Sequence, residues 1–297
     1  MKDYLKGAAP ASVPGIRLIC KQLLSAGPGS TSQLARRLRP DDLMAANGEG
    51  ATLPASLNVA EDLGLITKLT TDRDPEWQLA DCVANLKDAV AAVETAASFR
   101  PLVARMLNER ALESAKKQED PSDVSKGLVW LLGRDPLASI AWDGAEDELR
   151  VSGLNKAKVI DNTTQWHAFW RWCIALGYGH QLSLGGRRVL SVSSVVPIVE
   201  FAAGRKGPTP ARQFINDLLN DSPVLGHPSL IETLPESGRP RWQGSASRVI
   251  AEGLLQLEAQ KVLELQPGDD SENVVQLATG DKDVRAIRSV EWIGRSA

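Results

Sequence analysis

The chain contains few of the residues that build metal sites and covalent catalytic centres. Its 297 residues include three cysteines, Cys20, Cys82 and Cys173. Because they are widely spaced, odd in number and form no CxxC pair, they predict no disulfide framework and are typical of a reducing cytosol. The three histidines are His167, His180 and His227. They show neither HxxxH nor HExxH spacing, so the sequence predicts no metal site.

Motifs for nucleotide chemistry are missing as well. No GxxxxGK[ST] loop occurs, which excludes a P-loop ATPase at the level of motif. Residues 185–188 (GGRR) superficially match a phosphate cradle, but no strand and helix with the required residues flank them, so they predict a turn. We therefore expect no catalytic residues and no cofactor, and the protein is predicted not to be an enzyme.

The chain also lacks a basic excess and a long apolar run. Its net charge is −3, with 34 Lys and Arg against 37 Asp and Glu. Duplex-DNA binders usually carry a basic excess, so any contact with DNA must come from a local patch. No apolar run approaches the roughly 20 residues needed to span a bilayer. Because the first residues show no signal peptide either, we expect a soluble cytoplasmic protein.

A pattern that occurs twice is the most informative feature that is present. Residues 57–80 and 254–278 each predict the end of a helix followed by two short strands with a polar tip. Glu61 aligns with Glu258, and both segments finish on the tripeptide Gln-Leu-Ala. A helix that runs into a hairpin is the second half of a winged helix. We therefore expect two winged helices, in a protein built for binding rather than for chemistry.

The N-terminal winged helix is predicted over residues 12–81, with three helices followed by the strands ITKLTT and EWQLA. Its basic residues are Arg36, Arg37 and Arg39 on the second helix and Lys68 on the first strand. The third helix would lie in a major groove, yet it carries Glu61 and Asp62 and no Lys or Arg. Because such a helix repels phosphates, this unit is interpreted as a packing or protein-interaction module rather than a DNA reader.

The middle region, residues 82–186, is predicted to be helical and rich in tryptophan. It holds five of the eight tryptophans, Trp130, Trp142, Trp166, Trp170 and Trp172. Helical spacing in residues 162–177 favours a hydrophobic core over stacking on unpaired bases. Trp170 and Trp172 cannot point the same way on a helix. One of them is therefore expected at the edge, and both are candidates for partner binding.

The C-terminal region, residues 187–297, is predicted to be a second winged-helix-like domain. Its hairpin strands are expected at KVLELQP and NVVQLAT, around a tip at residues 268–271, and the tail IRSVEWIG is expected to add a strand or dock on the core. Six basic residues are candidates for binding nucleic acid: Arg205, Lys206, Arg212, Arg239, Arg241 and Arg248. The predicted fold class is mainly α with small β-hairpins (α+β), in which two winged helices flank the Trp-rich region.

The motif NTTQWHAF at residues 162–169 is followed by Arg171, Trp172, Leu176 and Gly177. With the flanking winged-helix patterns, it resembles the G component of the bacterial Dpd gene cluster. That cluster installs 7-deazapurine bases in DNA and acts as a restriction-modification or antiphage system. The resemblance implies a non-enzymatic, DNA-associated adaptor subunit. Its expected partners are other subunits of a defence complex, and DNA is a further candidate partner. It carries no catalytic residue over to this chain.

Two other functions fit the same patterns. One is a protein-interaction scaffold that does not bind DNA and uses both winged helices against partner proteins. The other is a winged-helix transcription regulator, which should form a symmetric dimer on a palindromic site.

Overall fold

The computed structural model describes residues 2–7, 10–38, 52–241, 246–268, 274–280 and 284–294. Helices and small antiparallel sheets alternate along the chain, so the predicted α+β class is confirmed. In the described part of the chain, one small sheet lies near the N-terminus, one in the middle and one near the C-terminus. The buried apolar residues of all three regions form one connected core.

Within its described residues, the N-terminal unit has three helices and a three-stranded antiparallel sheet. Its elements are α1 (Val13–Ala26), β1 (Gly29–Ser30), α2 (Thr31–Leu38), α3 (Thr52–Asp62), β2 (Ile66–Lys68) and β3 (Glu76–Leu79). The strand order is β1-β3-β2, so the predicted hairpin of β2 and β3 is confirmed, with Ile66 opposite Leu79. Arg39, predicted on the second helix, lies outside the described residues.

The middle region combines helices with a second sheet. Its elements are α4 (Asp81–Ala84), α5 (Ala89–Glu94), α6 (Ala96–Lys116), α7 (Asp123–Leu132), β4 (Ile140–Ala141), α8 (Glu146–Val151), α9 (Thr163–Ala175), β5 (Gly179–Leu184) and β6 (Arg187–Val192). The strands pair in the order β4-β6-β5. This sheet is a correction to the predicted all-helical region. Gly185 and Gly186 form the predicted turn, with φ values of 56° and 77°.

The paired strands β5 and β6 lie on either side of the predicted boundary between residues 186 and 187. Gln181 is opposite Leu190, and Leu190 in turn is opposite Ile140 of β4. A boundary at this point therefore separates two strands of one sheet. By its hydrogen bonds, β6 belongs with the middle region rather than with the C-terminal region.

The C-terminal unit repeats the element order of the N-terminal unit with additions. Its elements are α10 (Val195–Ala202), β7 (Thr209–Pro210), α11 (Ala211–Asp221), α12 (Pro228–Ile231), α13 (Arg248–Ala259), β8 (Leu263–Pro267), β9 (Val275–Ala278) and β10 (Val284–Trp292). Strand β10 is central and pairs with β7, β8 and β9. Residues 269–271 of the predicted tip lie outside the described residues.

The predicted hairpin of KVLELQP with NVVQLAT is wrong. Strand β9 pairs with the first half of β10, where Leu277 is opposite Arg285, while β8 pairs with the second half, where Leu265 is opposite Val290. The predicted tail strand is thus β10, which takes the place between β7 and β8. Its nine residues are long enough to pair with two strands in succession, which a local hairpin pattern does not reveal.

The ends of α3 and α13 nevertheless have the same backbone geometry. The amide of Gly64 donates to the Glu61 carbonyl, and the amide of Lys261 donates to the Glu258 carbonyl, each at 2.8 Å. In both units the next amide donates to the carbonyl five residues back, at 2.9 Å. Gly64 and Lys261 both have the left-handed conformation, with φ of 73° and 56°. This is the Schellman motif that ends a helix, so the aligned glutamates mark equivalent positions.

Trp170 and Trp172 are both buried, with 0% and 1% of their surface exposed. The expectation that one of them lies at the edge is therefore wrong. Helix α9 is packed between α7, α1 and β5, so side chains on more than one face meet protein. The Trp172 indole N–H donates to the Ala11 carbonyl at 3.0 Å, and its ring stacks with Tyr4 at 5.9 Å. Neither indole lies at the surface, where a partner would need it.

The N-terminal segment is attached to the first turn of α7. The fully buried Asp123 carboxylate accepts hydrogen bonds from the amides of Tyr4 at 2.9 Å, Leu5 at 3.0 Å and Val124 at 2.8 Å. Burial nevertheless raises the pKa of Asp123 to about 6, because the three amides only partly replace the lost hydration.

The raised pKa of Asp123 predicts that stability changes with pH. Between about pH 4 and pH 6 the folded protein keeps a proton that the unfolded chain releases, so stability falls as the pH rises through this window. From the pKa difference, the contribution is on the order of 3 kcal/mol. Urea unfolding of the native protein and the Asp123→Asn variant at several pH values would measure it. The native protein should lose stability relative to the variant up to about pH 6, and a constant difference would contradict this prediction.

Candidate nucleic-acid interface

The six basic residues predicted to bind nucleic acid do not form one patch on α13. Arg205 and Lys206 follow α10, and Arg212 lies in the first turn of α11. The other three, Arg239, Arg241 and Arg248, precede or begin α13. The six predicted residues therefore lie on separate segments of the C-terminal region.

Arg205 and Arg248 are each held by an intramolecular ion pair. An Arg205 guanidinium nitrogen lies 3.5 Å from an Asp217 carboxylate oxygen, and the guanidinium covers the Phe201 ring at 3.9 Å. Arg248 lies 2.9 Å from Asp135, next to the end of α7. Both cations are thus partly neutralised by carboxylates of this chain before any phosphate approaches.

Arg239 has a structural role. Its guanidinium donates to the carbonyls of Leu234 at 3.1 Å and Glu232 at 2.9 Å, which closes the turn that follows α12. Lys206, Arg212 and Arg241 are exposed, and no ion pair involves them within the described residues. They are the three predicted residues whose charge is available to a ligand.

Helix α13 itself offers little to a phosphate backbone. Arg248 is the one cation in its sequence, whereas Glu252 is half-buried and Gln256 is exposed on its outer side. Glu258, near the C-terminal end, is occupied by a two-pronged ion pair with Arg285 of β10. The helix therefore serves mainly to pack against α10 and β8.

A groove of about 590 Å³ in the N-terminal unit combines a concave surface with exposed cations. It lies between the start of α2, the exposed side of α3 and the β2–β3 hairpin. Its polar lining residues are Thr31, Ser32, Asn58, Lys68, Arg73 and Asp74. Lys68 and Arg73 are exposed, so two cations and an exposed amide, Asn58, line one concave surface.

Trp77 and Asp74 hold this groove in shape. The buried Trp77 indole donates to the Thr31 hydroxyl at 2.9 Å, which ties β3 to α2. An Asp74 carboxylate oxygen accepts from the Ser32 amide at 3.1 Å, at the start of α2. Hydrogen bonds from the Ser30 hydroxyl and the Ser32 amide hold the pKa of Asp74 below its usual range. Asp74, the one carboxylate that lines the groove within the described residues, is thus committed to the helix start. Lys68 lies 5.7 Å from the Trp77 ring centre.

Sequence reasoning missed this groove because it gave the third helix more weight than Lys68 on the first strand. The helix lacks cations, but Lys68 and Arg73 lie on the hairpin beside it. A signal was present in the sequence, since Lys68 lies on the first predicted strand and Arg73 in the turn between the two strands. What the sequence lacked was the packing of the tip on α2, which brings the hairpin and the two helices around one space.

Other classes of site find no support in the described residues. Within them, no group of three or more His, Cys, Asp or Glu side chains is arranged to hold a metal ion. The same residues include no helix that combines the length and apolar character required to cross a bilayer. Cys20 and Cys173 are buried free thiols, and burial raises the pKa of each thiol.

The fold and this groove define an α+β protein in which two end units share one element order around a tryptophan-rich centre. The family model described as DpdG-like matches residues 5–271, which is most of the chain. The chain therefore belongs to the DpdG-like family, and the resemblance to the G component of the Dpd cluster is confirmed. No curated protein and no solved structure matches the chain.

Proposed function

We propose that this protein is a non-enzymatic, DNA-associated adaptor subunit of a cytoplasmic Dpd modification and defence complex. Family membership supports the link to the Dpd cluster. The observation that carries the DNA part of the proposal is the groove lined by Lys68, Arg73 and Asn58. The adaptor role implies that other subunits of the complex are its partners.

The end units are further proposed to be winged helices. In the N-terminal unit, three helices and three strands follow one another with the strand order β1-β3-β2. In the C-terminal unit, β7, β10 and β8 lie in the corresponding order. The shared helix ending at Gly64 and Lys261 supports an equivalence of α3 and α13.

The groove would bind a DNA backbone by electrostatics and hydrogen bonding. Lys68 and Arg73 would each neutralise one phosphate, and the counterions released from DNA would supply most of the affinity. The Asn58 amide would donate to a phosphate or sugar oxygen, which positions the duplex without reading its sequence. Because such binding is mainly electrostatic, it should be weak and strongly dependent on salt.

A double variant, Lys68→Ala with Arg73→Ala, tests the proposal. We expect its affinity for a random-sequence duplex to fall about tenfold at about 0.1 M salt, because two phosphate contacts are lost. The slope of log K against log salt should become shallower by roughly 2. Fluorescence anisotropy titrations at several salt concentrations measure both quantities.

The matched control is Lys87→Ala with Lys156→Ala, which removes two exposed cations that lie outside the groove and make no ion pair within the described residues. It should bind like the native protein, since a loss of net charge alone has little effect on a local contact. A second comparison removes the exposed C-terminal cations Lys206, Arg212 and Arg241. If only that variant loses affinity for DNA, the interface lies in the C-terminal unit and the proposal for the groove is wrong.

A protein-interaction scaffold that does not bind DNA is the second candidate function. It is favoured by polar residues on the outer sides of the two third helices, which are the exposed Glu61 on α3 and, on α13, the half-buried Glu252 and the exposed Gln256. Absence of DNA binding at low salt, together with co-purification of another Dpd subunit, would select this function over the first.

A further inference from the structure

Strand β5 (Gly179–Leu184) forms one edge of the middle sheet. Within the described residues, the strand order of this sheet is β4-β6-β5, so β5 pairs with β6 on one side only. The five residues after Gly179 are all exposed, and none is Lys, Arg, Asp, Glu or Pro. Proteins usually protect a free strand edge with charges, proline or a covering segment, because its unpaired backbone groups are a template for another strand. The β5 sequence contains neither of the first two.

The register of the β5–β6 hairpin shows which backbone groups face the free side. Leu184 and Arg187 flank the two-residue turn, so they form a hydrogen-bonded pair with each other. At the other end of the hairpin, the amide of Ser193 donates to the carbonyl of Tyr178 at 3.1 Å. Hydrogen-bonded and non-hydrogen-bonded pairs alternate along antiparallel strands. The amide and carbonyl of Gln181, in the middle of β5, therefore point away from β6.

One face of β5 is apolar as well as exposed. Leu182 and Leu184 are 44% and 55% exposed, and residues two apart on a strand lie on the same face. A neighbouring strand would thus gain apolar contacts in addition to backbone hydrogen bonds. Contacts to a phosphate backbone are made by charged and polar donors instead. The two leucines therefore favour a polypeptide over a nucleic acid at this edge.

The charge of the hairpin and of the helix before it is positive. Residues 162–199, which include α9 and both strands, contain no Asp or Glu. Arg187 and Arg188 directly follow the turn, are exposed and form no ion pair within the part of the chain that the structure describes. Asp143 follows β4, the other edge strand of the sheet, and lies 4.0 Å from His167. The free edge is thus suited to an acidic partner.

The two arginines lie on opposite faces of the hairpin. Arg187 is opposite Leu184 and therefore shares the apolar face, whereas Arg188 is opposite Ser183 and lies on the other face. The Arg188 guanidinium is 4.5 Å from the centre of the Trp142 ring, which holds the cation near the sheet. A carboxylate on either face of an added strand would therefore find an arginine near the turn.

We propose that β5 binds an extended, acidic segment of a partner protein, which adds to the middle sheet as a fourth strand. The backbone of this segment would form hydrogen bonds with Gln181, and its apolar side chains would contact Leu182 and Leu184. Its carboxylates would pair with Arg187 and Arg188. The surface is separate from the N-terminal groove, so the inference does not depend on DNA binding.

Fluorescence anisotropy with a labelled eight-residue peptide of alternating valine and glutamate tests the inference. We expect saturable one-to-one binding of this peptide to the full chain. The same peptide with lysine in place of glutamate should bind at least tenfold more weakly, because its charges repel the two arginines.

The Gln181→Pro variant removes a backbone amide from the free side of β5. Proline is tolerated on an edge strand where the N–H faces solvent, so the pairing of β5 with β6 should persist. The affinity for the glutamate peptide should fall at least tenfold. The matched control is Gln181→Ala, which keeps the amide and should bind the peptide like the native protein. Thermal unfolding of both variants reports whether the fold is retained.

A charge-reversal variant provides a second test that does not alter the backbone. Arg187→Glu with Arg188→Glu should bind the lysine peptide at least tenfold more tightly than the glutamate peptide. A reversed preference also shows that the variant is folded. The matched control, Lys87→Glu with Lys156→Glu, changes the net charge equally at exposed residues outside the hairpin. It should keep the native preference.

Three results would overturn the inference. The first is no binding of the glutamate peptide to the native protein; if the charge-reversal variant then loses affinity for duplex DNA, the hairpin contacts nucleic acid instead. The second is equal binding of the peptide by Gln181→Pro and Gln181→Ala, which would place the peptide elsewhere. The third is a native dimer in light scattering that Gln181→Pro converts to a monomer, because a second copy of the chain would then occupy the edge.

Discussion

Replacing Trp170 with alanine is expected to lower the free energy of unfolding by about 3–5 kcal/mol, the range for deleting a buried aromatic side chain. Trp170 is fully buried, and its ring makes edge contacts with Trp166 at 5.8 Å and Trp142 at 5.1 Å. The variant would leave a cavity beneath two other tryptophans, which cannot both move to fill it. Urea unfolding followed by circular dichroism measures the change.

The conservative variant Trp170→Phe separates packing from hydrogen bonding. The Trp170 indole N–H has no hydrogen-bond partner within the described residues, so phenylalanine removes a buried unpaired donor. The loss should therefore be far smaller, within about 2 kcal/mol. If Trp170→Ala instead retains native stability and only loses the binding of a partner protein, the tryptophan is a binding residue rather than a core residue.

Replacing Gly253 with alanine is expected to destabilise the C-terminal unit by about 1–3 kcal/mol through overpacking. A Cβ atom at this position would lie 2.2 Å from the Ser194 hydroxyl oxygen and 2.9 Å from a methyl group of Ile198. The Ser194 hydroxyl cannot turn away freely, because it donates to the Val249 carbonyl at 2.6 Å. Helix propensity alone favours alanine by about 1 kcal/mol, so any loss measures the close approach of α10 and α13.

A double-mutant cycle with Ser194→Ala tests this explanation. Removing the hydroxyl takes away the nearest atom, so Gly253→Ala should cost less in the Ser194→Ala background than in the native protein. Equal costs in both backgrounds would show that the Ser194 hydroxyl is not the obstacle. The readout is again the free energy of unfolding in urea.

Local patterns in the sequence were sufficient for much of the fold. The apolar residues of α1 recur at helical spacing, and Ile16, Ile19, Cys20 and Leu23 are buried. The two glycines after β5 predicted its turn. The aligned glutamates correctly located two helix ends with the same hydrogen bonds. These features depend on residues within a few positions of one another, so the local sequence is sufficient to predict them.

Such local patterns did not predict which strands pair with one another. The tripeptide Gln-Leu-Ala ends both repeats, yet in the first it belongs to β3, which pairs with β2, and in the second to β9, which pairs with β10. Alternation of apolar residues predicts a strand but does not specify its partner. The central position of β10 depends on its pairing with β7, β8 and β9, which begin at different distances along the chain.

The candidate sites also depended on contacts that the sequence does not show. The six predicted cations were chosen by sequence proximity. In the structure, Arg205 and Arg248 form ion pairs with carboxylates of this chain, and Arg239 donates hydrogen bonds to its carbonyls. The groove at Lys68 and Arg73 was undervalued because the helix beside it lacks basic residues. Charge patterns in a sequence cannot distinguish a free cation from one that a distant carboxylate already neutralises.

The sequence by itself determined the α+β class, the paired helix endings and the family to which this chain belongs. Only the tertiary structure decided that Trp170 and Trp172 are both buried and that β10 is the central strand. The physical reason is the distance along the chain between the residues that interact. Helix ends and turns follow from neighbouring residues, whereas burial, ion pairing and cavities depend on contacts between segments that are far apart in the chain.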